Sequence, residues 1–379
     1  MERNVPLTVH VPGASYTIRI EEGLLESAAA VLERLLVGRK VFILSDTTVW
    51  KLWGAQLLRT LKRYSPSVIL ISAGERFKRL VTIEKITDLL AAHRAERSSL
   101  LVVFGGGVVG DIGGFVASVY LRGIDYVQIP TTLLAQVDSA IGGKTGVNLG
   151  VGKNLVGTFY QPRMVLSDPK ILKTLPRRQL RAGLFEAIKC AVIGDPELFE
   201  FLQTERKRIL RCDPKALREV IRASAALKAR VVSQDEKESG LRRVLNFGHT
   251  AGHALEAATK YRHFLHGEAV AWGMLAATRL AAEHGRLGIE EAARIEDLIV
   301  SYGPVPSLEP VLPAAIAKHL AVDKKVRDGK LHLVLPLRIG DAKVVAGVAP
   351  REVIAVNRQL AKENSCSNQP SAAAPTRKL

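Results

Sequence analysis

The first 170 residues alternate between short apolar runs and longer segments with the periodicity of amphipathic helices. The apolar runs have the length and the β-branched content of buried strands. They are 41–45, 67–72, 100–104 and 126–130. The segments 48–63 and 79–95, which lie between them, repeat apolar residues at helical spacing. This alternation predicts a parallel sheet covered by helices on both faces.

Two further patterns flank this alternation. Two extended runs near the start, 7–11 and 16–20, bracket the turn residues PGAS and predict a hairpin. After about residue 170 amphipathic segments follow one another, and only 331–336 and 342–347 look extended. The amphipathic segments are 176–193, 214–234, 245–259, 267–284, 289–302 and 313–321. This second pattern predicts a mainly helical domain.

The patterns divide the chain into three predicted parts. Residues 1–170 are expected to form an α/β domain with a parallel, Rossmann-like sheet. Residues 171–362 are expected to form a mainly α-helical domain. Residues 363–379 are rich in Ser, Ala and Pro, and we expect them to be disordered.

Composition narrows the class of protein. The 379 residues are 47% hydrophobic, which is enough for a packed core. No apolar run reaches about 18 residues, and the first residues lack the apolar core of a signal peptide. The three cysteines, Cys190, Cys212 and Cys366, have no CxxC spacing and do not indicate a disulfide framework. We therefore expect a soluble, cytoplasmic protein.

The charge balance points to anionic ligands. The net charge is +17, and residues 170–243 carry 18 basic and 10 acidic side chains. Such an excess can attract nucleic acid or small anions. Aromatic residues make up only 5% of the chain, and no zinc-finger or RNP-like spacing is present. We expect small anions as ligands, with neither nucleic acid nor a membrane as a partner.

The stretch GGGVVGD follows a predicted strand and precedes a predicted helix. Gly105, Gly107 and Gly110 match G-x-G-x-x-G, in which glycines let backbone N–H groups approach a pyrophosphate. A turn that merely requires glycine explains the same residues. The loop follows about the third alternating strand, whereas the Rossmann fingerprint follows the first. Asp46, at the end of another strand, is a candidate ribose partner.

A second glycine-rich stretch, GGKTGVNLGVGKN, carries Lys144 and Lys153. It is not a Walker A motif, because Asp138 stands where the first glycine is required. Lysine is a compact charge that binds phosphate, and glycines let it approach a ligand. The alternatives are a phosphate-binding loop and an exposed mobile loop.

Histidines cluster in one short part of the chain. Asn246, His249, His253 and Glu256 recur at helical spacing and predict one polar stripe on a helix. His263, His266 and Glu268 follow within the next few residues. Two or three imidazoles with a carboxylate suit zinc or a similar divalent metal. Spacing alone leaves open which histidines bind it.

The segment GLFEAIKC places Glu186 and Lys189 one helical turn apart. One interpretation is a surface ion pair that contributes under about 0.5 kcal/mol. The other is a metal-binding carboxylate next to an anion-binding lysine. The two residues by themselves do not decide between them.

Taken together, these segments resemble the 3-dehydroquinate synthases, which belong to the sugar phosphate cyclases. The resemblance covers roughly residues 40–350 and depends on the order and spacing of its segments. They are GGGVVGDIGGFVAS, YLRGIDYVQIPTTLLAQVDSAIGGKTGVN, GKNLVGTFYQP, GLFEAIK, LRRVLNFGHTAGHALE and HGEAVAWGM. The resemblance implies an NAD-binding α/β domain and a helical domain, with the active site in the cleft between them.

The resemblance also implies two cofactors, NAD and one divalent metal ion, either zinc or cobalt. The implied metal ligands are Glu186, His249 and His266, which leaves His253 to support a ligand or to handle the substrate. The implied NAD contacts surround the first glycine loop and extend to the second. They are Asp46, Glu75, Lys78, Gly105, Gly106, Gly107, Val108, Asp111, Thr131, Thr132, Lys144 and Lys153.

Basic and polar side chains make up the implied substrate site. They are Asp138, Lys144, Lys153, Asn154, Lys189, Lys228, Arg242, Asn246 and His253, with Lys324 as a weaker match. In the family, an arginine that matches Arg122 reaches the substrate phosphate across a dimer interface. The resemblance therefore also implies a homodimer.

The chain departs from the family pattern at three positions in the second predicted domain. Phe185 replaces a frequent alanine, Cys190 replaces a common aromatic residue, and Gln179 replaces a usual glutamate near the cofactor. None of these departures removes an implied metal ligand or substrate contact.

The implied substrate is 3-deoxy-D-arabino-heptulosonate 7-phosphate, which becomes 3-dehydroquinate and phosphate in the shikimate route to aromatic amino acids. The implied course is transient oxidation of a ring hydroxyl, loss of phosphate, return of the hydride and intramolecular aldol closure. Another sugar phosphate cyclase and a metal-dependent polyol dehydrogenase are the alternatives with this fold. Lys228, Arg242, Asn246 and His253 suit a substrate carboxylate and favour the synthase.

Overall fold

The computed structural model describes residues 5–308, 311, 313–321, 326–327 and 330–367. Its contacts divide the chain into two compact units, Met1–Leu245 and Asn246–Leu379. The first helices after residue 170 thus belong to the same unit as the sheet. The division after residue 170 follows a change of secondary structure and stays a prediction.

The first unit contains a large sheet and a separate hairpin. The strands are β1 Leu7–Val11, β2 Ala14–Ile20, β3 Val41–Asp46, β4 Ser67–Ile71, β5 Leu100–Gly105, β6 Asp125–Pro130, β7 Lys144–Leu149, β8 Gly152–Phe159 and β9 Met164–Ser167. Seven of them form one sheet in the order β1-β2-β9-β6-β5-β3-β4. Its pairings are parallel except that of β1 with β2. The parallel sheet and the opening hairpin are therefore confirmed.

Helices connect these strands and then continue beyond them. Those of the first unit are α1 Leu24–Val31, α2 Glu33–Leu36, α3 Thr47–Val49, α4 Ala55–Leu61, α5 Leu80–Ala92, α6 Gly107–Val119, α7 Arg177–Gly194, α8 Pro196–Thr204, α9 Arg206–Leu210 and α10 Pro214–Gln234. Helix α10 packs against β1 and against a π-helical turn, Ala135–Ser139, which α7 also contacts. This packing places two long helices beside the carboxyl end of β6.

Strand β3 illustrates why the sheet is covered on both faces. All six of its residues are buried, and alternate residues belong to two separate hydrophobic clusters. Phe42 and Leu44 join residues of α5 and α6, whereas Val41 and Ile43 join residues of α1 and α4. A strand buried on both faces needs apolar side chains at every position, which explains the continuous apolar run.

Two features of the first unit differ from the prediction. The segment that carries Lys144 and Lys153, interpreted as a loop, forms the β7–β8 hairpin. Glycine makes this close pairing possible, because a Cβ on Gly157 would lie 2.0 Å from the carbonyl oxygen of Thr145. Strand β9 was not predicted, since four residues are too few for a clear periodic signal.

The second unit is mainly helical. Its helices are α11 His249–Ala258, α12 His266–Glu283, α13 Ile289–Ser301, α14 Pro313–Ala321 and α15 Pro350–Ser367. A small antiparallel sheet joins β10 Val326–Arg327, β11 Lys330–Arg338 and β12 Asp341–Val348. Helices α11 and α12 lie very close together: a Cβ on Gly273 would lie only 1.8 Å from the carbonyl oxygen of Gly248, so glycine is needed there.

Helix α15 is not among the predicted amphipathic segments, and it reaches into the segment expected to be disordered. It ends at Ser367, so residues 363–367 are helical where disorder was expected. The segment ahead of this end, RQLAKEN, consists mostly of good helix formers. The rest of the predicted tail, 368–379, lies outside the described residues. Within the described residues, no helix has the length and apolar character needed to cross a membrane.

Gly113 provides a test of the contact between α6 and the sheet. A Cβ at this position would lie 2.5 Å from Cγ2 of Val103, so Gly113→Ala overpacks the core. We expect Gly113→Ala to destabilise the protein by about 1–3 kcal/mol, measured by urea denaturation. Gly150→Ala is the matched control, because its Cβ would meet no atom within 4 Å. Equal stability of the two variants would contradict this packing.

Candidate active site

The first glycine loop lies where the order of strands reverses. Strand β3 pairs with β4 on one side and with β5 on the other, so the chain changes direction across the sheet at β3 and β5. Open α/β sheets bind ligands outside the carboxyl ends of their strands at such a point. Asp46 ends β3 and Gly105 ends β5, so the two predicted cofactor contacts flank it.

The loop from Gly105 to Gly107 is tightly packed. A Cβ on Gly106 would lie 2.8 Å from the Thr132 methyl carbon, and one on Gly107 would lie 2.9 Å from Oγ of Ser139. Gly107 then begins α6, which continues through the half-buried Val108. A helix N-terminus behind glycines presents free N–H groups to an anion. The structure thus brings the loop and Thr132 together.

Asp46 and Thr131 lie on either side of the glycine loop. Oδ1 of Asp46 accepts hydrogen bonds from the backbone N–H groups of Thr48 and Val49, at 2.8 and 2.9 Å. Asp46 therefore caps a helix, whatever else it binds. The Thr131 N–H donates to the carbonyl oxygen of Gly105. Among the described residues its buried hydroxyl has no hydrogen-bond partner, which a bound ligand could supply.

Lys78 is the centre of a polar network beside this loop. Its buried ammonium group lies 2.5 Å from Oδ2 of Asp111 and 2.5 Å from Oδ1 of Asn154. Glu75 accepts a hydrogen bond from the side chain of Asn148 at 2.7 Å. The network joins Glu75, Lys78 and Asp111, predicted to bind NAD, to Asn154, predicted to bind substrate. Lys153 precedes Asn154 in β8 and is half-buried.

A buried ionic cluster forms around Asp138, at the end of the π-helical turn after β6. Oδ1 of Asp138 lies 2.7 Å from Nζ of Lys228 in α10 and 3.8 Å from Nζ of Lys189 in α7. Nζ of Lys189 also lies 2.5 Å from Oε2 of Glu186. Glu186 and Lys189 are fully or almost fully buried, so they do not form the surface pair that spacing allowed.

The pKa values of the two lysines in this cluster are shifted in opposite directions. Burial lowers the pKa of Lys189, but the attraction of Glu186 and Asp138 outweighs it, so the pKa lies above its ordinary value. Burial also lowers the pKa of Lys228, and the attraction of Asp138 only partly offsets it, with Arg242 opposing the charge. The pKa of Lys228 therefore lies below its ordinary value. An added anion would favour the charged form of Lys228.

Arg242 is buried between two loops. Its guanidinium donates to the carbonyl oxygen of Gly142, 3.1 Å away, and to that of Glu236. Asp235 accepts the backbone N–H groups of Ser239, Gly240 and Arg242, which fold this segment into a tight loop. Among the described residues Nε of Arg242 is buried without a hydrogen-bond partner.

Lys144 is the exposed cation of the group. It begins β7, half of its side chain is exposed, and its ammonium pairs with the carboxylate of Glu238. Glu238 belongs to the loop that Asp235 organises. Sequence reasoning did not identify Glu238 or Asp235, although the charged run DEKE ends four residues before Arg242. Only the folded loop shows that these carboxylates face the predicted anion-binding residues.

Three imidazoles meet in the second unit. Donor atoms of His249, His253 and His266 all lie within 4.8 Å of one another. Their ring centroids are 5.2 to 5.8 Å apart. The close packing of α11 on α12 produces this arrangement, because α11 carries His249 and His253 and α12 begins at His266.

Hydrogen bonds orient two of these rings. Nδ1 of His249 lies 3.1 Å from the carbonyl oxygen of Phe247, and Nδ1 of His266 lies 3.0 Å from Oε2 of Glu256. Both oxygens act as acceptors, so the Nδ1 atoms donate and the Nε2 atoms keep their lone pairs. Carbonyl and carboxylate partners commonly hold metal-binding imidazoles in this way. The chemistry of the three rings therefore fits a divalent metal ion.

Other members of the histidine-rich segment have structural roles. His263 lies 2.9 Å from the carbonyl oxygen of Ser307, and Glu268 caps α12 by accepting the N–H of Leu265. The predicted stripe placed Asn246 on the same helix as His249. In the structure Asn246 instead ends a preceding 3₁₀ helix. Gly248 separates the two with a φ of 77°. A Cβ there would lie 2.7 Å from the carbonyl oxygen of Val270.

The remaining predicted residues stay predictions. Glu186 belongs to the other compact unit from the three histidines, and its role as a metal ligand is not decided by the cluster. Arg122 is exposed in the turn before β6, where Leu121, Arg122 and Gly123 all have positive φ. Lys324 lies outside the described residues.

Comparison with known proteins identifies the family. The model "3-dehydroquinate synthase N-terminal" matches residues 68–182, and the model "3-dehydroquinate synthase C-terminal" matches residues 183–326. A 3-dehydroquinate synthase from Solibacter usitatus is 46% identical over 340 residues, which cover 90% of this chain and 95% of the relative.

Two solved structures are similar over nearly the whole chain. A 2-epi-5-epi-valiolone synthase from Streptomyces hygroscopicus with NAD⁺ and Zn²⁺ bound has a TM-score of 0.85 and 34% identity, covering 93% of this chain and 98% of that one. A 2-deoxy-scyllo-inosose synthase complexed with carbaglucose-6-phosphate, NAD⁺ and Co²⁺ has a TM-score of 0.85 and 27% identity, covering 94% and 99%. The chain belongs to the 3-dehydroquinate synthase family of phosphorus–oxygen lyases.

Proposed function

We propose that this chain converts 3-deoxy-D-arabino-heptulosonate 7-phosphate into 3-dehydroquinate and phosphate. The observation that carries the proposal is the 46% identity to a 3-dehydroquinate synthase across nine tenths of the chain. Identity to the two solved synthases with other products is lower, at 34% and 27%. This difference favours the 3-dehydroquinate reaction over those of other sugar phosphate cyclases.

NAD is the proposed nucleotide cofactor. The position of Gly105–Gly107 at the reversal of strand order, in front of α6, supports a pyrophosphate site there. The buried hydroxyl of Thr131 and the carboxylate of Asp46 flank that loop and suit polar groups of a dinucleotide. NAD⁺ in both solved relatives supports the same cofactor.

A zinc or cobalt ion is proposed on His249 and His266, with Glu186 as the third ligand. The Nδ1 hydrogen bonds of the two histidines support their use of Nε2 as ligand atoms. His253 is proposed to contact the substrate beside them. When bound, NAD and the metal would supply hydride transfer and polarisation of a ring oxygen.

The residues around Asp138 are proposed to hold the anionic groups of the substrate. Lys189, Lys228 and Arg242 place three buried cations near one carboxylate, and Lys144 adds an exposed one. Fixed charges of this kind attract a phosphorylated acid and hold it in one orientation. Asp138 is proposed to hold the two lysine ammonium groups in place, since it contacts both.

The assembly and location are also proposed. Arg122, exposed in a turn of positive φ, would reach the substrate phosphate of a partner subunit in a homodimer. A cytoplasmic location fits a biosynthetic enzyme of this class.

The reaction can be tested directly with the purified chain, the heptulosonate phosphate and NAD. We expect phosphate and 3-dehydroquinate to form in equal amounts, without accumulation of NADH, and we expect EDTA to stop both. Turnover of a different sugar phosphate alone would move the substrate assignment within the superfamily. Net NADH formation from a polyol, with no phosphate release, would contradict the proposal.

Measurements of bound metal distinguish the proposed ligand His266 from its neighbour His253. We expect His266→Ala to weaken metal affinity by at least about a hundredfold, since losing even an outer partner costs 10–100-fold. His253→Ala should retain the metal and lose turnover. His284→Ala is the control, because this imidazole pairs with Glu352 elsewhere in the unit. Loss of metal from His253→Ala with retention in His266→Ala would reverse the assignment.

Lys144→Ala tests the anion-binding role of the second glycine segment. We expect kcat/KM to fall by at least about a hundredfold, because a cation paired with the substrate is removed. Lys40→Ala removes a similarly exposed lysine that pairs with Glu96, and it should stay close to the parent in rate. Equal rates for the two variants would remove Lys144 from the site.

A further inference from the structure

Tyr16 connects the opening hairpin to the predicted substrate site. It lies in β2, it is 3% exposed, and its hydroxyl accepts the backbone N–H of Gly142 at 2.9 Å. Burial raises the pKa of Tyr16, so the phenol is neutral near pH 7. The phenol oxygen accepts this N–H with a lone pair and keeps its own hydrogen.

Hydrogen bonds hold both the backbone N–H and the carbonyl oxygen of Gly142. Tyr16 binds its N–H, and Arg242 binds its carbonyl oxygen at 3.1 Å. The residue has a φ of 97°, and a Cβ on it would lie 2.4 Å from a guanidinium nitrogen of Arg242. The backbone at Gly142 therefore lies directly against the arginine, and a shift of one displaces the other.

This backbone position bears on two proposed substrate contacts. Gly142 and Gly143 directly precede Lys144, and the carbonyl oxygen of Gly143 accepts the N–H of Tyr160 at 2.8 Å. Lys144 is thus attached to a segment whose course is set by hydrogen bonds on both glycines. A glycine backbone can adopt many conformations, so these hydrogen bonds determine the position of the backbone from which the Lys144 side chain extends.

We propose that Tyr16 is a positioning residue for the reaction, which acts through Gly142 on Lys144 and Arg242. The inference rests on the proposed function, because those two residues are its proposed anion contacts. Tyr16 itself does not need to touch the substrate. Its hydroxyl fixes the backbone from which one cation extends and against which the other packs.

Tyr16→Phe removes only the hydroxyl and leaves the ring in the core. We expect KM for the heptulosonate phosphate to rise and kcat/KM to fall by about ten- to a hundredfold, as a small misplacement of binding groups does. KM for NAD should change much less. Hydrogen exchange of the peptide that contains Gly142 and Gly143 should accelerate.

Tyr120→Phe is the matched control, since it also removes a tyrosine hydroxyl bound to a backbone group, the carbonyl oxygen of Ala95. It should lower thermal stability to a similar degree while leaving both KM values and the exchange of the glycine peptide unchanged. If Tyr16→Phe merely lost stability like this control, Tyr16 would be structural and the proposal would be wrong. If the parent enzyme were inactive on this substrate, the proposed function would be overturned instead. The hydrogen-exchange measurement would still test whether the Tyr16 hydroxyl holds the backbone at Gly142.

Discussion

The carboxylate of Asp138 is the interaction on which the buried ionic cluster of the first unit depends. It contacts ammonium groups from α7 and α10, two helices that both pack on the turn after β6. Without it, two buried ammonium groups would lose an opposite charge, which the low polarity of the interior makes costly. One side chain thus joins the sheet to both helices and sets where Lys189 and Lys228 end.

Glycines determine how closely the other parts approach. The contact of Gly273 with Gly248 packs the start of α11 closely on α12, and these two helices carry His249 and His266. Gly142 likewise lets the guanidinium of Arg242 lie against the backbone. At Gly142 a guanidinium nitrogen of Arg242 occupies the space that a Cβ would need. At Gly273 the backbone of Gly248 occupies that space.

The sequence predicts the fold well where a pattern is local. The continuous apolar run of β3 and the spacing of α10 are confirmed, and so is the mostly parallel sheet with its helical second part. Resemblance to the family is confirmed as well. The short strand β9 and the contacts of Tyr16 and Glu238 could not be predicted, because they depend on pairing between distant segments. Periodicity also could not show that Asn246 precedes the helix, since a turn at Gly248 intervenes.

The balance of buried charge explains why an anion suits this site. Lys189, Lys228 and Arg242 are buried cations, and Asp138 and Glu186 are the carboxylates beside them. Burial lowers the pKa of Lys228, and the attraction of Asp138 only partly offsets this, so a further anion would favour the charged form of Lys228. The Nε of Arg242 adds a buried donor without a partner among the described residues. A ligand with a phosphate and a carboxylate supplies both negative charge and an acceptor, whereas a neutral polyol supplies an acceptor but no charge.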